Sequence, residues 1–139
     1  MGIFRLLFRL SRKNKFCNDL LRFFFACDIP MEAKIGNDVT FTHRGLGTVI
    51  HPKCVIEDHV WIEHHVLLGQ RLDNESCAPI IQKNCVIGAY AIILGGVTIG
   101  EGSVIGAGAI ITHDIPPHSI AYCKQEVVIK ENTKPKGKF

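Results

Sequence analysis

The sequence predicts an all-β solenoid, a parallel β-helix, on three observations. A large apolar residue returns at every sixth position through three blocks: Ile29, Ile35, Phe41; then Ile50, Ile56, Ile62, Leu68; then Ile81, Ile87, Ile93, Ile99, Ile105, Ile111. Four positions after each comes a second inward candidate, mostly small, as at Ala33, Cys54, Val60, Cys85, Ala91, Ser103 and Ala109. Glycine often stands directly after the large residue, at Gly36, Gly69, Gly88, Gly100 and Gly106, where a backbone must bend or be approached closely. A six-residue period is one short strand plus one corner, and self-similarity at that period marks a β-helix. Three units close a triangular coil of about 18 residues. Coils stack at roughly 4.8 Å, so residues 28–122 hold about five of them.

Residues 1–27 lie outside the period. Apolar residues at 3, 4, 6, 7, 8 and 10 alternate with Arg5, Arg9 and Arg12, which predicts a short basic amphipathic helix or a pair of them. Such a segment either caps the open end of the solenoid or lies on a membrane surface. No uncharged stretch precedes a small-residue cleavage site, and no apolar run is long enough to span a bilayer. From 28 to 122 the solenoid is interrupted twice. Thr42–Thr48 replaces a regular unit, and the polar stretch 69–79 reads as a loop thrown out of the coil. Pro116-Pro117 ends the last block, residues 118–129 predict an extended segment that folds back and docks through Val127-Val128-Ile129, and Lys130 to Phe139 predicts a mobile tail within the C-terminal extension 123–139.

Charge is unevenly spread. Residues 1–27 carry Arg5, Arg9, Arg12, Lys13, Lys15 and Arg22 against Asp19 alone, whereas the solenoid body is acidic and the tail from Lys124 is lysine-rich. An acidic body argues against nucleic acid. The six cysteines form no Cys-x-x-Cys pair, and Cys54 and Cys85 occupy the small inward position, which predicts buried free thiols and a cytoplasmic protein.

Units such as Val86-Ile87-Gly88-Ala89 and Ser103-Val104-Ile105-Gly106-Ala107-Gly108-Ala109 resemble the hexapeptide-repeat acyltransferases. Within them the chain is most similar to the serine O-acetyltransferase branch and its short polysaccharide-acetylating relatives. The resemblance implies a left-handed coil, against the usual right-handed crossover, a homotrimer, and acetyl-CoA as co-substrate with no metal. Thr42-His43-Arg44-Gly45-Leu46-Gly47-Thr48-Val49-Ile50 is similar to the stretch that carries the family's catalytic histidine. Taken alone, His43 fits a turn contact as well as a base. The resemblance makes it the general base, a role imidazole suits near neutral pH. It also makes Asp28, fifteen residues earlier, the carboxylate that orients His43. His64 matches a position facing the acceptor. Gly69, Ala89 and Ala107 match small positions against which the cofactor lies, and Lys124 is placed to meet a CoA phosphate.

Two departures bear on the acceptor. Thr42 stands where serine acetyltransferases carry an aspartate, and Cys77-Ala78 where they carry an Arg-His pair. Those family residues hold the charged groups of an amino acid. Thr42, His64 and Ala78 are therefore expected to meet an uncharged acceptor, and the expectation is O-acetylation of a sugar hydroxyl in capsule or lipopolysaccharide synthesis. Serine O-acetylation is the alternative. A lesser one is a zinc enzyme like the γ-class carbonic anhydrases, because His59 and His64 have that family's five-residue spacing. The basic N-terminus suits peripheral contact with the inner membrane face.

Overall fold

The computed structural model describes residues 2–71 and 77–124. Two helices, α1 (Ile3–Ser11) and α2 (Lys15–Phe25), precede thirteen short strands. The strands form three parallel walls. The first holds β1 (Lys34–Ile35), β4 (Val55–Ile56), β7 (Ile80–Ile81) and β10 (Thr98–Ile99). The second holds β2 (Thr40–Phe41), β5 (Trp61–Ile62), β8 (Val86–Ile87), β11 (Val104–Ile105) and β13 (Ile120–Ala121). The third holds β3 (Val49–Ile50), β6 (Leu67–Gly69), β9 (Ile92–Leu94) and β12 (Ile110–Ile111). Between β1 and β10 the chain makes three full turns, and β11 to β13 add an incomplete end. Five coils were expected. The break after β2 and the loop after β6 spend residues outside the period.

Most strands are two residues long, so one side chain points out and one points in. From β1 to β12 the inward one is the large residue of the hexad. Phe41, Ile62, Ile87 and Ile105 stand in register on the second wall, and Ile50, Leu68, Ile93 and Ile111 on the third. All are buried, whereas Ile35 at the first coil is only half-buried. Burying each such side chain contributes about 1.5–3 kcal/mol. The core is thus a ladder of like residues.

The glycines after the large residue serve close approach. A Cβ on Gly88 would lie 2.6 Å from the Ala107 backbone nitrogen of the next coil. Left-handed backbone falls instead on the second residue of the corner turn, and Asp38, His59, His65, Asn84, Tyr90 and His118 adopt it there.

The helices cap the first coil. The Arg12 guanidinium donates to the carbonyls of Pro30 (2.6 Å), Met31 (2.8 Å) and Ala33. Buried Asn18 Nδ2 donates to the Ile29 carbonyl at 2.8 Å. These carbonyls have no coil above them, so the hairpin supplies the donors a preceding coil would have supplied. Phe4, Leu7, Phe8 and Phe25 pack on the core, with the Phe8 and Phe41 rings 5.4 Å apart. No disulfide links any of the six cysteines, and Cys27, Cys54 and Cys85 are buried. No described helix is long and apolar enough to cross a membrane. The expected docking of Val127-Val128-Ile129 and the tail lies outside the described residues.

Candidate active site

The break after β2 is a 3-10 turn over Thr42–Gly45 in which His43 (φ 47°) and Arg44 (φ 61°) are both left-handed. Two successive positive φ values throw the chain out of the wall. It returns through Gly47, whose N–H donates to the Ala26 carbonyl at 2.9 Å and whose missing Cβ leaves room for the His65 ring. His43 is thereby left exposed at the corner between the second and third walls. One coil below, β5 is followed by Glu63 and His64 at the corner. The His43 and His64 rings meet edge to face with centroids 4.9 Å apart. His65 turns away and stacks on Tyr90 at 4.7 Å, within 10° of parallel. Neighbouring histidines thus point differently, as a strand end requires.

Glu63 joins these rings. Thr42 Oγ1 donates to its Oε2 at 2.7 Å and Trp61 Nε1 to its Oε1 at 2.9 Å. The Thr42 hydrogen bond first, then that from Trp61, holds the carboxyl below the usual glutamate range, so it is an anion at neutral pH. His64 Nδ1 lies 3.8 Å from Glu63 Oε2 and is buried without a hydrogen-bond partner. One ligating atom each from His43, Glu63 and His64 fall within 4.8 Å of one another.

The strand register carries this corner downward. Ile62 pairs with Ile87 and Ile87 with Ile105, so two residues beyond each stand His64, Ala89 and Ala107. The corner reads His43, His64, Ala89, Ala107: two imidazoles above two small residues. The corner thus sets two imidazoles beside an anionic carboxylate, with two small residues in line along the coil axis.

The description "Bacterial transferase hexapeptide (six repeats)" matches residues 78–113. A putative serine acetyltransferase of Schizosaccharomyces pombe is 39% identical over 98 residues, 70% of this chain and 36% of the relative. Among solved structures, serine acetyltransferase isoform 3 of Entamoeba histolytica in complex with cysteine superposes with TM-score 0.79 at 27% identity, covering 93% of this chain and 50% of that one. Serine acetyltransferase of Brucella abortus in complex with coenzyme A superposes with TM-score 0.74 at 30% identity, covering 92% and 52%. Residues 78–113 carry the hexapeptide repeat of that bacterial transferase family.

The chain is similar to serine acetyltransferases in both sequence and structure, and spans 36% of the first of those curated relatives. Its other expected site residues are placed as follows. Asp28 is not hydrogen-bonded to His43. Its carboxylate pairs with Arg22 at 3.3 Å, both groups about half exposed, while its backbone bridges to Val49. Glu63 brings a carboxylate oxygen within 4.8 Å of a His43 ring nitrogen. Ala78 packs against the core beside the first wall, away from the His43 corner. Gly69 ends β6 at the corner between the third and first walls, so it shares no column with Ala89 and Ala107. Lys124 is exposed beyond β13. His59 faces Asp38 at 3.8 Å, and no His59–His64 zinc pair forms among the described residues.

Glu63 and Trp61 were missed in the sequence. The signal was there: Glu63 occupies the slot after the large residue that glycine takes in five other units. A carboxylate in that slot, directly before a histidine, points outward at the corner.

Proposed function

We propose that this transferase moves an acetyl group from acetyl-CoA to an acceptor hydroxyl by direct transfer. One observation carries the reading: the break after β2 projects His43 from the wall beside His64 and Glu63, at the head of the Ala89–Ala107 column. Neutral His43 takes the hydroxyl proton as that oxygen attacks the thioester carbonyl. The C–S bond then breaks, and the imidazolium returns the proton to the departing CoA sulfur. Acetyl-CoA lies along Ala89 and Ala107, where small side chains let the pantetheine approach the backbone, and Lys124 meets its phosphates. The coil is left-handed and the chain assembles as a trimer, with each site at a subunit boundary. The outward ladder of Trp61, Val86, Val104 and Ile120 supports that assembly, because all four are exposed apolar residues on one wall.

Serine is the acceptor that the relatives' names favour. A sugar hydroxyl is the second reading, favoured by Thr42: its hydroxyl is spent on Glu63, so the site offers an acceptor's carboxylate an anion. Peripheral contact with a membrane on the cytoplasmic side rests on the exposed Phe16, Phe23 and Phe24 among the basic residues of the helices.

The deciding experiment is an acceptor screen with acetyl-CoA, read by mass of the acetylated product, comparing serine with nucleotide sugars and oligosaccharides. His43→Ala should lower kcat by roughly 10²–10⁴-fold with the fold retained. Undiminished transfer in that variant would sink the mechanism. Asp28→Asn should cost far less than Glu63→Gln, since Asp28 already pairs with Arg22.

A further inference from the structure

We infer that His43, Glu63 and His64 form a binding site for a divalent transition cation of the zinc class. Three observations point there. The donors come from two successive coils, yet one ligating atom of each lies within 4.8 Å of the others. His64 Nδ1 is buried, has no hydrogen-bond partner, and stands 3.8 Å from Glu63 Oε2. Glu63 is held in place by donors on both oxygens, Thr42 on Oε2 and Trp61 on Oε1. Each oxygen still keeps a lone pair for a metal. Outer hydrogen bonds that orient a ligand are what strengthen a metal site.

Geometry sets the requirement. Tetrahedral zinc with nitrogen and oxygen ligands at about 2.0–2.1 Å puts neighbouring donors about 3.4 Å apart. The His64–Glu63 edge needs a few tenths of an ångström. The remaining closure falls to the exposed His43 side chain. Two imidazoles and one carboxylate select a borderline cation over magnesium or calcium, which prefer all-oxygen sets. Three protein ligands leave a coordination position open toward the corner.

The site and the proposed base share His43. A cation there ties up the lone pair that would accept the acceptor's proton, so metal occupancy and proton abstraction exclude one another. Binding itself is independent of the proposed reaction and is measured without acetyl-CoA.

The test uses the full chain after chelator treatment and buffer exchange. Co²⁺ is titrated while the visible d–d bands are followed, and Zn²⁺ is titrated by calorimetry. One ion per chain is expected, with Zn²⁺ displacing Co²⁺ and Mg²⁺ without effect. Glu63→Gln and His64→Gln should each weaken binding more than tenfold, and Thr42→Val should weaken it about tenfold through loss of orientation. Circular dichroism checks the fold, and Glu63→Gln alters no core residue. His51→Ala and His113→Ala, remote from the corner, should bind as the parent does. The inference is overturned if no ion binds with one-to-one stoichiometry, or if Glu63→Gln binds as tightly as the parent. It is overturned equally if the His51 or His113 variants lose binding to the same degree.

Discussion

Replacing Arg12 with methionine tests whether the helical hairpin completes the solenoid or merely sits on it. Methionine keeps most of the apolar stem and removes the guanidinium, so packing is largely preserved. Three hydrogen bonds are lost, to the carbonyls of Pro30, Met31 and Ala33. A charge-assisted bond contributes about 1.5–3 kcal/mol, but water reaches a half-buried edge and the three are not additive. A net loss of about 3 kcal/mol follows. That is a large share of the roughly 5–15 kcal/mol by which a domain is stable, and in a chain of this length it lowers Tm by about 10 °C. The assay is thermal unfolding by circular dichroism at one fixed protein concentration, since association shifts Tm. Arg9→Met is the comparison: Arg9 is exposed, and its loss should cost less than about 0.5 kcal/mol. Activity should fall along with stability. The Ala26 carbonyl holds Gly47, and the Phe4 ring lies against Gly45, so the hairpin supports the break that presents His43. If Arg12→Met melts within about 2 °C of the parent, the carbonyls were satisfied by water all along and the cap reasoning fails.

Three further outcomes are expected. Gly88→Ala sets a Cβ 2.6 Å from a backbone nitrogen and should cost about 1–3 kcal/mol in urea unfolding. Gly69→Ala, whose Cβ meets the flexible end of Leu94 at 3.1 Å and Leu67 at an ordinary 3.7 Å, should be nearly neutral. Glu63 has a lowered pKa, led by the Thr42 hydrogen bond. It therefore adds stability above the ordinary glutamate range, which is lost as pH falls through its folded value. Thr42→Val should raise the Glu63 carboxyl titration seen by carbon NMR and move acid unfolding to higher pH; an unmoved titration would refute the assignment. Burial pushes the Cys54 thiol to about 12 and the Cys27 thiol to about 11, and raises Cys85. Alkylation at pH 8 counted by mass spectrometry should mark exposed Cys123 early, and these three only after unfolding.

The ladder was legible because each coil repeats one physical demand, a large residue inward on every wall, and only Ile35 at the capped end falls short. The breaks were legible for the opposite reason, as places where that demand lapses. What lay beyond reach was lateral. Glu63 and Thr42 are 21 residues apart and meet only because successive coils stack. The family resemblance pairs Asp28 with His43, and no pattern in the sequence announces the Arg22 side chain, six residues before it, that pairs with the carboxylate here. Gly69 fits the period as well as Ala89 does, yet a period of six cannot say which of three corners a residue occupies; that follows from the count of residues in the intervening loop. The left-handed corners held by histidine, tyrosine and asparagine were likewise hidden, because the pattern advertises glycine.

The excursion that carries His43 begins and ends on the same stacked wall system, with Phe41 before it and Ile50 after it both seated in the interior. The outward residues between those two anchors, His43 and Arg44 among them, leave the hydrophobic column untouched. Reactivity and foldability are therefore governed by separate letters of the chain. Such a scaffold can trade one acceptor for another by rewriting a handful of outward residues, at little cost to the framework that displays them.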